Sequence, residues 1–240
     1  MAAPISSWKD VEAALNGRLI AVLPVGAQEQ HGAHLPLETD TVLATGVARR
    51  IADEIGGWLL PAIAFGEAWS AEAWPGTLSV SAETLRATIV DLARGLKRIG
   101  VAGLVTVNGH FGNRAPIASA IDALAPGGLP VLQLDYPGLE EAAAQFCVST
   151  PAGPGFYHAD EVETAMMLAL APDMVCMDLA AAEYPVFPVD FGTRPIQLRT
   201  FNSSGVFGDP RPATAATGEK IIGHIVSRSL AAIRDWEATL

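Results

Sequence analysis

Hydrophobic positions along this chain fall into short unbroken runs, set between longer stretches where apolar residues recur at helical spacing. Residues 19–25 (LIAVLPV), 104–107 (LVTV) and Val131–Leu134 are such runs. Continuous apolar runs of that length fit strands buried on both faces of a parallel sheet. Residues 58–63 predict a further strand, and Pro61 within it removes a ladder donor, so that strand is expected at an edge or with a bulge. The intervening periodicity predicts helices. One covers 7–16, with Ser7 as N-cap and Gly17 beyond its end. One runs from a cap at Thr39 or Asp40 to Ile55, stopped by Gly56-Gly57. A long one follows Ser81 to near Gly100, another ends at Ala125, and a shorter one covers 138–147. The last two run from His158 to Leu170, ended by Ala171-Pro172, and from about Thr214 to Trp236. Residues 184–212 are proline-rich and aperiodic, and predict a long structured loop or lid. Alternation of strand and helix throughout predicts an α/β fold: a single-domain three-layer sandwich over residues 1–240, with a mostly parallel central sheet.

Composition narrows the function classes. A net charge of −11 over 240 residues argues against nucleic acid or an anionic membrane as partner, since both select basic surfaces. No apolar run approaches spanning length, and MAAPISSWKD lacks the features of a secretory signal, so a soluble cytoplasmic protein is expected. Cys147 and Cys176 stand far apart and read as buried thiols rather than a disulfide. A Gly-x-Ser-x-Gly elbow, a Walker A loop and a Gly-x-Gly-x-x-Gly turn are all missing, which removes support for serine-nucleophile, nucleotide-phosphate and dinucleotide chemistry.

The polar residues with catalytic potential gather in three segments, each at a strand end or a helix start. The loop EQHGAHLPLETD brings Glu29, His31, His34 and Asp40. His110 follows the 104–107 strand in a glycine-flanked turn. His158 and Glu161 open a helix. Carboxylate and imidazole together suit Zn or Mn. If the helix begins at His158, Glu161 lies on the same face, whereas Glu161 and Glu163 point apart. Glu161 is therefore expected as the ligand, with Glu163 supporting or capping. Trp69 and Trp74, on the glycine-rich loop 66–76, are candidate pocket walls. Each residue alone has an ordinary explanation: Asp40 as an N-cap, His110 at a strand end, Glu161 in a first helical turn. Those explanations do not account for four of the five histidines falling in these segments, leaving only His224 on the last helix.

The blocks PVGAQEQHGAHLPLETD, VNGHFGN and HADEVETAMM resemble the three signature blocks of the creatininase family of metal-dependent amidohydrolases, in order and spacing, from about residue 7 to 236. The resemblance implies two divalent metal ions per subunit, Zn and/or Mn. Glu29, Asp40 and His110 would hold one, His31 and Glu161 the other, and Asp40 would bridge. It further implies His158 as the acid/base and Ser70 in a substrate-contacting loop. Phe111 and Tyr157 join Trp69 and Trp74 as substrate contacts, with His34, Asn113 and Glu163 supporting the ligands. It also implies a homo-oligomer, a hexamer. Creatinine-hydrolysing members carry tyrosine and glutamate after the second-block histidine, where this chain has Phe111-Gly112. They carry a tryptophan before the third-block histidine, where it has Pro154-Gly155-Phe156. Asp160 replaces a glycine. These departures point away from creatinine as substrate. The expected reaction is hydrolysis of a linear or cyclic C–N amide bond of a small molecule by a metal-bridging hydroxide. Trimming of a short or modified peptide, and non-catalytic binding of a metal or small ligand, are the alternatives.

Overall fold

The computed structural model describes residues 5–15, 18–125 and 127–239. Four parallel strands form the central sheet: β1 (Ile20–Val25), β2 (Trp58–Leu59), β3 (Gly103–Asn108) and β4 (Val131–Leu134), in the order β2-β1-β3-β4. Helices α1 (Trp8–Ala14), α2 (Thr39–Ile55), α3 (Ala82–Ile99), α4 (Arg114–Leu124), α5 (Leu139–Phe146), α6 (Glu161–Leu170) and α7 (Ala215–Glu237) surround it. Every residue of β1 and β3 is buried, as their unbroken apolar runs require.

The two faces of β1 serve two cores. Ile20 and Val22 pack with Leu43, Val47 and Ile51 of α2 and with residues of α5, α6 and α7. Leu19, Ala21, Leu23 and Val25 pack with residues of α3 and α4. Alternate residues of a strand point to opposite faces, so one run of sequence feeds both helical layers and the predicted three-layer sandwich results.

Capping fixes where helices start. Ser7, Ser81 and Thr214 each accept a backbone N–H in the first turn of α1, α3 and α7. Gly56 and Gly100, both left-handed, end α2 and α3. Gly17, expected beyond α1, lies outside the described residues. Three expectations need correction. Neither Thr39 nor Asp40 caps α2: Glu38 occupies that position without a side-chain bond, and Asp40 lies inside the first turn. The 58–63 strand is broken. It lies at the sheet edge, as Pro61 predicts, but pairs regularly only at Trp58–Leu59 before rejoining β1 at Ile63. Cys176 is exposed, and Cys147 is partly buried, both as free thiols.

Order reverses on either side of β1, with β2 to one side and β3 to the other. Adjacent parallel strands whose connections leave in opposite directions open a crevice at their carboxyl ends. The loop after β1 and the turn after β3 meet there, and Gly109 donates to the Val25 carbonyl across the gap at 2.9 Å. No helix among the described residues is long and apolar enough to cross a membrane.

Candidate metal centre

Backbone contacts hold three segments at this crevice. After β1 the chain folds back on itself, with Glu29 donating to the Leu37 carbonyl at 2.9 Å. This points Glu29, His31 and, within the first turn of α2, Asp40 inward. His110 follows β3, its N–H bound to the Asn108 side chain at 3.1 Å. Asn113 fastens the strand ends together: it donates to the Gly26 carbonyl at 3.0 Å and accepts the Glu67 N–H at 2.9 Å. The third segment arrives from outside the sheet, where His158 pairs through its backbone with Phe207 before α6 begins.

At the centre, each of two imidazoles points a nitrogen at two carboxylates. His31 Nε2 lies 3.1 Å from Asp40 Oδ1 and 3.5 Å from Glu163 Oε2. His110 Nδ1 lies 2.9 Å from Glu29 Oε2 and 3.1 Å from Asp40 Oδ2. The other nitrogen of each ring faces a backbone carbonyl: His31 Nδ1 faces that of Glu29 at 3.1 Å, and His110 Nε2 that of Glu67 at 2.8 Å. A carbonyl can only accept, so the N–H belongs there and the lone pair faces the carboxylates. Three atoms are consequently buried with no hydrogen-bond partner: Glu29 Oε2, His31 Nε2 and Asp40 Oδ2. Lone pairs converging on a point without a donor are the signature of a cation site, and a carbonyl behind each imidazole is how metal-binding histidines are oriented.

Glu29, Asp40 and His110 form one group able to hold a cation, and His31, Asp40 and Glu163 form another. Asp40 belongs to both and offers a different oxygen to each. Where protons are the only cations, ionisation must distort to hold this arrangement. Burial opposes charge on His31, yet Asp40 and Glu163 hold its imidazole up at about 10. His110 likewise rises well above the usual histidine range, because Glu29 and Asp40 outweigh burial. Asp40 stays below the usual carboxylate range despite burial, held by His31 and His110. Glu163 is pushed up by burial to about 8. Two carboxylates facing each imidazole call for positive charge between them, which a divalent ion supplies.

The structure brings Glu163, rather than the expected Glu161, beside His31 and Asp40. The helix starts at Glu161, not His158, because Asp160 caps it by accepting the N–H groups of Val162 and Glu163. Ala159 turns through a left-handed conformation, φ 52°. His158 thus precedes the helix and shares no helical face with Glu161. The Glu161 carboxylate instead accepts from Val148 and Ser149, at 3.0 and 2.7 Å. Glu163, two residues further into the helix, faces His31.

His158 packs its ring against that of His31, centroids 4.4 Å apart, and lines the cavity above the cluster. Burial and the neighbouring His31 push its pKa down to about 4, so its imidazole is neutral near pH 7. Beside it, His34 binds Thr164 of α6 at 2.9 Å and ties the first loop to that helix. The cavity is about 530 Å³, and Trp69, Ser70, Phe111 and Tyr157 all line it. Trp74 does not: it is packed with Ala71, Leu198 and Phe207 in a separate apolar cluster. The 184–212 segment borders this region, with Phe187 in ring contact with Phe191, Phe201 and Phe207.

Other lining residues had not been singled out, among them Arg114, Asp135, Tyr136 and Phe191. Asp135 and Tyr136 directly follow β4. They occupy a strand end like those after β1 and β3, so the signal was present in the sequence. Phe191 comes from the aperiodic segment, where sequence gives no direction.

The family model described as creatininase, creatinine amidohydrolase, matches residues 5–233. Creatinine amidohydrolase of Pseudomonas putida is 31% identical over 258 residues, covering 95% of this chain and 94% of that protein. Mycofactocin precursor peptide peptidase of Mycobacterium ulcerans is 33% identical over 226 residues, covering 90% of this chain and 84% of its own length. A solved creatininase of Zn–Zn type superposes with a TM-score of 0.87 at 29% identity, covering 98% of both chains. With the match running almost from end to end on the same α/β fold, the chain belongs to the creatininase family of amidohydrolases.

Proposed function

We propose that this protein hydrolyses a C–N amide bond, linear or cyclic, in a small molecule other than creatinine, and that it uses two divalent cations, Zn or Mn, to do so. The observation that supports this most is Asp40, fully buried, with one oxygen turned to His31 and the other to His110. Glu29, Asp40 and His110 would hold one ion and His31, Asp40 and Glu163 the other. Oxygen and nitrogen donors without thiolate suit either metal. Bound there, such a pair supplies Lewis acidity and a water acidified from about 15.7 towards roughly 7.

The chain's own residues do the rest. Phe111, Tyr157 and Trp69 line the cavity and offer aromatic surface to the amide plane. His158, a neutral base at the cavity wall, takes the proton of the attacking water and passes it to the departing nitrogen, which leaves poorly as an anion. Gly112 stands where creatinine-hydrolysing relatives carry a glutamate. A Cβ there would lie 2.0 Å from the Glu67 carbonyl, so this backbone has no room for that side chain. The carboxylate count is met by Glu163.

His158→Ala should retain bound metal and lose turnover, while chelation should abolish activity and Zn or Mn restore it. The substrate panel is cyclic ureas, lactams, formamides and short peptides. Turnover undiminished in metal-free protein would overturn the reading. Peptide trimming is the second reading, favoured by the similarity to the mycofactocin peptidase. Turnover of the peptides alone in that panel would select it. We further propose a homo-oligomer, consistent with the exposed apolar side chains of Val148, Leu179, Val186 and Val189.

A further inference from the structure

His158 presents an ambiguity: besides lining the cavity, it lies with Glu29 and His31 in a third group whose ligand atoms could hold a cation. The side chain of Gln30 resolves it. Gln30 is buried, between Glu29 and His31 in sequence. Its Oε1 accepts the Gly32 N–H at 3.0 Å. Its Nε2 lies 3.2 Å from the Gly205 carbonyl and 2.8 Å from His158 Nε2. The two backbone partners leave the amide one orientation. A backbone N–H can only donate and a carbonyl can only accept, so turning the amide over would set donor against donor and acceptor against acceptor. The –NH2 group therefore faces His158, and the ring nitrogen opposite it must accept.

We infer that Gln30 is a positioning residue that holds His158 as the tautomer protonated on Nδ1, with Nε2 engaged as an acceptor. Two consequences follow. Ligation through Nε2 would require Gln30 to leave, so the Glu29–His31–His158 group is not a further cation site through that atom. Taking up a proton during turnover likewise requires Gln30 to release Nε2, because Nδ1 already carries one. The second consequence rests on the amidohydrolase reading; the tautomer itself does not.

Gly205 is part of the device. It is left-handed, φ 81°, and a Cβ on it would lie 1.7 Å from Gln30 Oε1, so a larger residue would expel the amide.

The test is nitrogen-15 NMR of zinc-loaded, histidine-labelled protein, with His158 assigned by its loss in His158→Ala. In the wild type, long-range proton–nitrogen correlations should show a protonated Nδ1 and a bare Nε2. Gln30→Glu presents an acceptor to the ring and should move the proton to Nε2. Gly205→Ala, which leaves Gln30 chemically intact, should mix the tautomers. A wild-type proton or metal ion on Nε2 overturns the inference, as does an unchanged tautomer in Gln30→Glu. The wild-type measurement stands even where a variant fails to fold. On whichever panel amide is turned over, Gln30→Glu should lower kcat on the order of 10²-fold with KM little changed. The expected NMR pattern without turnover of any panel amide would support the tautomer and count against the amidohydrolase reading.

Discussion

Glu161 and Glu163 are the same residue two positions apart, and the site depends on which one faces it. Their directions follow from helical phase, and phase exists only from the N-cap onward. Asp160 was the readable signal: aspartate is among the best N-caps, and Asp-x-x-Glu resembles a capping box, so the helix had to begin after it. What sequence could not show was the left-handed turn at Ala159, which detaches His158 from that phase. The two glutamates should separate experimentally. Glu163→Gln should weaken metal binding by about 10–100-fold, measured as metal retained on dialysis. Glu161→Gln should keep the metal but lower stability by about 1–3 kcal/mol, because the part-buried N–H groups of Val148 and Ser149 lose a charged acceptor. Equal metal loss in both would undo the assignment. Tyr136 is a different case, a non-glycine residue at φ 50° whose hydroxyl is buried at the cavity without a partner. Tyr136→Phe removes an unsatisfied donor. Stability should stay within about 1 kcal/mol, while kcat/KM should fall by about 10²-fold if that hydroxyl binds the substrate oxygen.

At the scale of elements, strands were the most legible part of the chain. β1 and β3 are unbroken apolar runs, and burial on both faces is what such runs encode. Caps at Ser7, Ser81 and Thr214 set helix starts to within a residue. The 184–212 segment was opaque because phenylalanines without periodicity declare apolar packing but no direction, and only the folded chain shows them clustered edge to face, with Phe191 reaching the cavity. Sequence is equally silent on how closely two helices cross. Gly218 of α7 sits so near α6 that a Cβ would lie 1.9 Å from the Ala165 carbonyl. Gly218→Ala should therefore cost about 1–3 kcal/mol through overpacking and push α6, with Glu163, away from the cluster. Gly223, on the same helix, would meet nothing within 4 Å. Gly223→Ala should stabilise by up to about 1 kcal/mol through helix propensity alone. Thermal melts check the opposite signs, and metal titration should show weakened binding only for Gly218→Ala. Matching shifts in the two variants would mean that the helix crossing does not position the site.

For the whole molecule, the cluster couples metal binding to the pH dependence of stability. In metal-free protein His31 is held up at about 10, against an ordinary 6.5. A raised histidine contributes stability that is complete below 6.5 and is lost as pH climbs through about 10. Glu163 acts in the same sense. Its carboxyl is raised to about 8 from 4.5, so its contribution is present below 4.5 and lost as pH rises through about 8. Asp40 and Glu29 are lowered, so their contributions hold above 3.8 and 4.5 and fall away on acidification. Metal-free protein should therefore weaken on the alkaline side. Cation binding reverses that sense, because the ligands must give up their protons and bind more readily as pH rises. Melting temperatures of chelated and zinc-reconstituted protein should diverge steadily from 6.5 towards about 10, with the gap widening on the alkaline side. Parallel curves would show that the protons on His31 and Glu163 do not occupy the place of the metal. His31→Gln should lessen the alkaline weakening of the metal-free protein, since one of the two groups whose proton is lost there is gone.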